Sequence, residues 1–306
     1  MLTFILRRLM QAVITVWVVV TLVFGLIHIT GNPVSVLAPP QMNQQDRARL
    51  EHNLGLDKPL YVQYGKFLEG IVHGNLGVSY YSDVPALPLV VSRLPVTVKL
   101  VALAIGIAVF AGVPLGITSA IYADTILDSM SRFVSVLGSS IPTFFLGILL
   151  IFGFSVEIGL LPSSGVGSFE HYILPACTLA FFRIALFTRM IRTSLIESLG
   201  EDYVRTARAK GASELRVVGK HALRTALIPF ITVFGLQFGQ LLAGAVITET
   251  IFALPGMNRL ALQALYRLDF PVILSYVLIV AAMFSAINFL VDVTYGVIDP
   301  RVRHGH

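Results

Sequence analysis

From Leu100 to Ala123 the chain reads LVALAIGIAVFAGVPLGITSAIYA, twenty-four residues without an Asp, Glu, Lys or Arg. A helix rises 1.5 Å per residue, so a run of this length spans the roughly 30 Å of a bilayer's hydrocarbon. Three more charge-free runs of similar length follow, Phe133–Val156, Thr225–Thr248 and Phe270–Val291. A longer one, Leu9–Gln45, holds a helix near 9–29 and then turns polar at Thr30. A sixth apolar stretch, Tyr172–Ser194, is interrupted by Arg183 and Arg189.

Composition agrees. Of 306 residues, 56% are hydrophobic and only 13% charged, with a mean hydropathy of +0.81. A soluble domain carries about 25% charged residues, so this chain lacks the polar groups to cover a water-facing surface. The single cysteine, Cys177, excludes an internal disulfide and a Cys-based metal cluster, and the seven histidines form no His-Glu-x-x-His pair. The expected fold is all-α, a polytopic transmembrane bundle forming one domain over 1–306. Its six spans are near 9–29, 98–121, 133–156, 172–194, 226–248 and 271–293.

Orientation follows from basic residues, which collect on the cytoplasmic side. With the N-terminus inside, the inner segments hold thirteen Lys and Arg and the outer ones eight. Six of those eight lie in or beside the long first loop, where charge counts for little. Both termini are therefore expected in the cytoplasm, and the net charge of +5 reflects this bias and not nucleic-acid binding. The first apolar run is too long for a signal peptide's core and no small-x-small cleavage site follows, so it reads as an uncleaved span.

Two segments are too long to be connectors. The first, 30–93, is expected outside, with a short polar helix over 45–53, a turn at Leu54–Pro59 into a second helix, and irregular chain over 70–77. Its aromatics suit a cover over a pore mouth. The second, 195–224, is expected inside. Glu201 and Asp202 suit a helix N-terminus, Lys210 its C-terminus, and Gly211 a left-handed stop; Ser213 and Glu214 then begin another helix. A capped helix–turn–helix rich in alanine fits a docking element better than a solvated basic loop.

At these residues the sequence resembles bacterial ABC importer permeases of the dipeptide, oligopeptide and nickel group. Glu201-Asp202-Tyr203, then Arg205-Thr206-Ala207-Arg208-Ala209-Lys210-Gly211, is similar to that group's form of the coupling loop, and His221–Arg224 and Ile228-Pro229 continue it. The general importer motif begins Glu-Ala-Ala; here that triplet is Arg205-Thr206-Ala207. Resemblance extends over the chain through Arg7-Arg8-Leu9, Gly31-Asn32-Pro33, Leu54–Leu60, Gly74–Ser79, Thr248–Phe252, Pro255-Gly256-Met257, Asp269-Phe270-Pro271 and Asp299-Pro300-Arg301. The early long external loop is similar to that of the first, or B-type, permease of such systems.

The resemblance implies a bacterial inner-membrane subunit that forms half of a peptide import pore. A second homologous permease would complete the pore as a heterodimer, an extracytoplasmic binding protein would deliver substrate, and two ATPase subunits would carry ATP and Mg²⁺. Those ATPases would press on the loop around Ala207 and Gly211. Nickel chelates, glutathione and haem stand as alternative cargo. The chain has no Gly-x-x-x-x-Gly-Lys-Ser/Thr loop of its own, so neither catalytic residue nor bound cofactor or metal is expected.

Within the membrane, Arg183 cannot face lipid cheaply and is a pathway candidate, although a helix-break carbonyl or a neighbouring acid would account for it as well. Glu249 is a second pathway candidate. An ion-driven secondary transporter would need acids at mid-membrane, but Glu157, Glu249 and Asp292 stand at span ends. For an intramembrane hydrolase, Ser139 and Ser140 lack a base placed by spacing.

Overall fold

A computed structural model of the chain describes residues 2–30, Val34, Ala38 and 42–298. The signatures at Gly31-Asn32-Pro33 and Asp299-Pro300-Arg301 lie outside the described residues. Those described are helical apart from turns and one isolated antiparallel bridge, Val78–Pro85. Among the described residues five helices are long and apolar enough to cross a membrane, or six if one bent pair is a single span. The chain divides into two compact units.

One unit comprises Val98–Leu254 and 287–298. It begins within α4 (Ala86–Ile121), continues through α5 (Ile126–Ser140), α6 (Thr143–Leu150) and α7 (Glu170–Gly200), and then enters α8 (Asp202–Ala209). A three-residue turn of helix, α9 (Glu214–Arg216), leads through the π-helical Val217–Ala222 into α10 (Leu223–Gly244) and α11 (Val246–Ile251). α7 is the hub, because its neighbours offer glycines where it passes. A Cβ on Gly116 of α4 would lie 2.7 Å from the Thr188 carbonyl oxygen, and one on Gly138 of α5 would lie 2.6 Å from Ala185 Cβ. Close backbone approach of this kind is how helices associate in lipid, where no hydrophobic drive separates them from the solvent. Thr188 Oγ1 also donates to the Gly112 carbonyl across the α4–α7 contact, at 3.2 Å. Gly106 and Gly244, equally small in sequence, meet nothing within 4 Å.

The sequence places one span over 133–156 with Pro142 inside it, and α5 and α6 meet there at 101°. Pro142 explains the break. It has no N–H to give the helix, and its ring drives the preceding residue out of the helical region; Ile141 is extended, with φ −87° and ψ 121°. Beyond α6 the helix continues as a π-helical stretch, Ile151–Glu157.

The other unit holds Leu2–Thr97 and Pro255–Ala286. It contains α1 (Leu2–Thr30), α2 (Gln44–Leu54), α3 (Leu60–His73), the start of α4, α12 (Met257–Tyr266) and most of α13 (Phe270–Ile298). Asn43 Oδ1 caps α2 by accepting from the Asp46 N–H at 2.7 Å. α3 runs on to His73, so the expected irregular stretch starts four residues later than Gly70 suggests. Phe24 of α1 stacks near Phe67 and Tyr64 of α3, and Phe270 and Leu274 of α13 pack in the same cluster. Asp269 pins the chain before α4 by accepting from Ser79 Oγ at 2.5 Å and from the Tyr80 N–H at 3.2 Å.

Helix ends and charge gaps do not coincide. α4 starts at Ala86, well before the span's expected start near 98, because Arg93 and Lys99 ride on the helix. α7 extends to Gly200, and so 195–200 is helix and not loop.

Candidate coupling surface

α7 delivers the chain to the segment singled out by its caps. Glu201 is extended, with φ −72° and ψ 150°, and turns the chain into α8. Neither Glu201 nor Ser213 makes a side-chain cap bond; Glu201 and Asp202 act at most through charge at the helix start. At the other end Gly211 has φ +81°, the Gly211 N–H donates to the Arg208 carbonyl, and the Ala212 N–H donates to the Ala207 carbonyl. This crossed pair is the Schellman stop, and it requires a left-handed residue where glycine stands. No atom lies within 4 Å of a Cβ built on Gly211, so backbone conformation and not crowding selects glycine.

Only Val204 and Ala207 of α8 are buried, and they sit three apart on one face. They pack with Ala120 of α4, Leu195 of α7, Val217 and Ala222 of the π-helical segment, and Ala226 of α10. The Tyr203 hydroxyl donates to Thr225 Oγ1 at 3.2 Å, a second tie to α10. Arg208 grips Glu214 with two hydrogen bonds, 2.8 and 3.3 Å, across the glycine turn. Asp202 and Arg205 pair at 2.9 Å on the outer side.

Of the residues singled out, Glu201, Asp202, Tyr203, Arg205, Thr206, Arg208, Ala209, Lys210 and Gly211 are all exposed. Ala207 faces inward, 9% exposed, and serves as anchor, not as contact point. Two residues escaped the sequence reading. Val204 is the other anchor, legible as the apolar partner of Ala207 at i, i+3. Leu215 stands 88% exposed just beyond the turn, an apolar side chain with no cover among the described residues.

Beginning at Ser119, next in the chain to Ala120 of this cluster, three helices are clamped by a group that the sequence reading also missed. Asp128, in the first turn of α5, is fully buried. Arg192 of α7 donates to both its oxygens, at 2.6 and 2.9 Å, Ser119 of α4 donates at 2.6 Å, and the Asp124 N–H donates at 3.1 Å. Arg132 lies 3.5 Å away on the outer side. The only hint in the sequence was an acid four residues before Arg132, the spacing of a helical ion pair.

The two membrane candidates are not brought together. Among the described residues Arg183 makes one hydrogen bond, from Nη1 to the Leu179 carbonyl of its own helix at 3.2 Å, and its guanidinium lies 5.5 Å from the Phe182 ring centre. Its buried Nε has no partner among the described residues. Glu249 is fully buried in α11, just past the break at Ala245, and accepts no bond from Arg183. On α10, Gln237 donates to Gln240 at 3.1 Å while its own buried Oε1 has no partner among the described residues. Arg183 stands midway along its helix and Gln237 in the second half of its own, within apolar helices where an unmet polar atom is costly unless water or another chain reaches it.

A family model described as the binding-protein-dependent transport system inner membrane component matches residues 112–304, and its N-terminal companion matches 1–101. The chain is 40% identical to the dipeptide transport system permease protein DppB of Escherichia coli K12, over 99% of each chain. It is 41% identical to the glutathione transport system permease protein GsiC of Escherichia coli O6:H1, over 99% of this chain and 100% of that one. Among solved structures, an inward-facing methionine ABC transporter, MetNI, is similar with a TM-score of 0.55 at 17% identity, covering 69% of this chain and 96% of that one. An amino acid ABC transporter crystallised with histidines gives 0.54 at 18%, covering 68% and 92%.

Proposed function

The chain belongs to the family of binding-protein-dependent transport system inner membrane components, and from that premise we propose that it forms half the pore of an ATP-driven importer of small peptides. It is a multi-pass transport subunit, not an enzyme, and it works with the other components of an ABC importer. ATP and Mg²⁺ belong to two ATPase subunits, and a second homologous permease completes the pore. A binding protein delivers substrate to the external segment, and the chain crosses the inner membrane six times with both termini inside. Full-length similarity to dipeptide and glutathione permeases supports a cargo of di- and tripeptides, glutathione being a tripeptide itself.

One observation carries the coupling assignment. α8 is anchored by two small side chains and presents every other residue outward, at the end of the helix that packs against α4, α5 and α6. A short rigid helix so held transmits a push and does not absorb it. The ATPases would take hold of the outward residues, Tyr203, Arg205, Thr206, Ala209 and Lys210, with Leu215 in an apolar groove. The stroke would pass through Val204 and Ala207 into α7, biasing a two-state rearrangement of the helices. Arg183 and Glu249 remain the pathway candidates. Arg183's unmet Nε is the group that a passing carboxylate, or a water chain, would satisfy.

The test is to tag the chain in its native host, extract it in mild detergent and identify what co-purifies. A second permease and ATPases, with ATP-dependent uptake of radiolabelled alanyl-phenylalanine after reconstitution together with the binding protein, support the reading. Recovery of the chain alone in several detergents would point to an autonomous transporter. An intact complex that takes up no peptide, but does take up a nickel chelate or haem, would reassign the cargo.

A further inference from the structure

The unit built on α1, α2, α3 and the start of α13 encloses a cavity of about 1060 Å³, open on one side. This is the upper end of the range for small-molecule sites. Its charged lining is unusual. Lys58, in the turn before α3, and Lys66, one helical stretch later, both face it. Neither makes an ion pair among the described residues. The neighbouring Lys58 ammonium holds the Lys66 ammonium below the usual lysine range, against the smaller opposing effect of the Glu69 and Asp57 carboxylates. Asp83 lines the same cavity, its carboxylate without an ion pair among the described residues and its backbone at φ +54°. Phe67 and Tyr80 supply aromatic wall, and Phe24 and Phe270 bring it to the ends of two candidate spans.

The two ammonium groups repel even with Glu69 and Asp57 nearby, and an anion between them would remove that repulsion. A cavity with a lone carboxylate as well suits a ligand that carries both signs. A free peptide does: its terminal carboxylate would meet Lys58 and Lys66, its terminal ammonium Asp83, and its side chains the aromatic wall. We propose that this cavity is a reception site for the transported peptide, with Lys58 and Lys66 as the carboxylate clamp. The proposal rests on the peptide-import reading. It adds a place where the permease itself, before the membrane path, discriminates free peptide ends.

Saturation-transfer NMR on the purified importer tests this, in phosphatidylcholine nanodiscs without the binding protein. The probe is alanyl-phenylalanine below its Kd, with its C-terminal amide as comparison. Wild type should saturate the free dipeptide about tenfold more than the amide, the loss expected for one charge-assisted contact. Lys58→Gln with Lys66→Gln should abolish that difference, while Lys58→Arg with Lys66→Arg should keep it. Equal signals for acid and amide in wild type, or an unchanged preference in the glutamine pair, would overturn the proposal. So would loss of the dipeptide signal on adding phosphatidylglycerol, if native mass spectrometry found that lipid on wild type and not on the glutamine pair; the site would then hold an anionic headgroup. If wild type gives no dipeptide signal, uptake by the full system separates the failures. Uptake present sinks the reception site alone, and uptake absent sinks the peptide reading with it.

Discussion

Replacing Asp128 by Asn should cost the importer both stability and coupling. The carboxylate is fully buried and receives four hydrogen bonds, two of them from Arg192. Removing one partner of a buried pair costs about 3–5 kcal/mol, because the other charge is left behind. Two features reduce this. Asparagine keeps one acceptor in place, and the Arg192 side chain is 22% exposed and can recover some hydration. A loss of about 2–3 kcal/mol is therefore expected, against the full 3–5 for Asp128→Ala. At about 2–4 °C per kcal/mol for a chain of this size, the melting temperature of the purified complex should fall by about 4–12 °C. Arg192→Gln should fall similarly. The double variant should lose much less than the sum, with an interaction energy of about 1–3 kcal/mol. Because the clamp joins α5 to α4 and α7, the helices on which α8 packs, ATP hydrolysis in reconstituted vesicles should continue while uptake per ATP drops. A melting temperature within about 1 °C of wild type, or strictly additive losses in the double variant, would refute the clamp as described.

The other predictions are narrower. Gly211→Leu should abolish uptake and uncouple the ATPase without blocking membrane insertion, since a left-handed backbone costs a non-glycine residue about 1–2 kcal/mol and deforms the turn; uptake at the normal rate would count against the coupling role. Gly138→Ile should prevent assembly by forcing α5 off α7, while Gly106→Ile, with open space around it, should assemble normally, as read by gel filtration of the detergent extract. The phenol of Tyr80 is pushed up to about 12, first by burial and then by the Asp269 charge. A raised value means its contribution to stability is complete below the ordinary tyrosine value of about 10 and is lost as pH rises to about 12. The difference in ultraviolet absorbance of the phenolate between wild type and Tyr80→Phe should therefore develop near pH 12, and a midpoint near 10 would show Tyr80 to be solvent-exposed.

Gaps between charges located four of the five long apolar helices among the described residues, because hydrocarbon excludes charge and a helix of about twenty residues is the shortest way through it; α7, which carries Arg183 and Arg189, showed only as an interrupted apolar stretch. The helix–turn–helix after α7 was legible for a different reason: capping preferences act within one turn of chain, so Asp202, Lys210 and Gly211 announce themselves locally. Helix ends were less legible, since Arg93 and Lys99 end an apolar run without ending a helix. Pro142 could be seen, but the 101° bend it permits could not, because a proline in a membrane helix can kink gently or break it outright according to what packs around it.

Which side each residue shows is a matter of packing. In sequence Ala207 and Ala209 look alike, yet one anchors α8 and the other faces out, because three-residue spacing from Val204 matters only once α4, α7 and α10 supply a surface. Asp128 and Arg192 are sixty-four residues apart, and no local rule pairs them. Lys58, Lys66 and Asp83 read as solvated loop charges until α2, α3 and α13 fold them around a common space. How much of the chain lies in lipid could thus be read residue by residue, through transfer free energies that each side chain carries by itself. Which polar groups meet could not, because that depends on distances that only the folded chain sets.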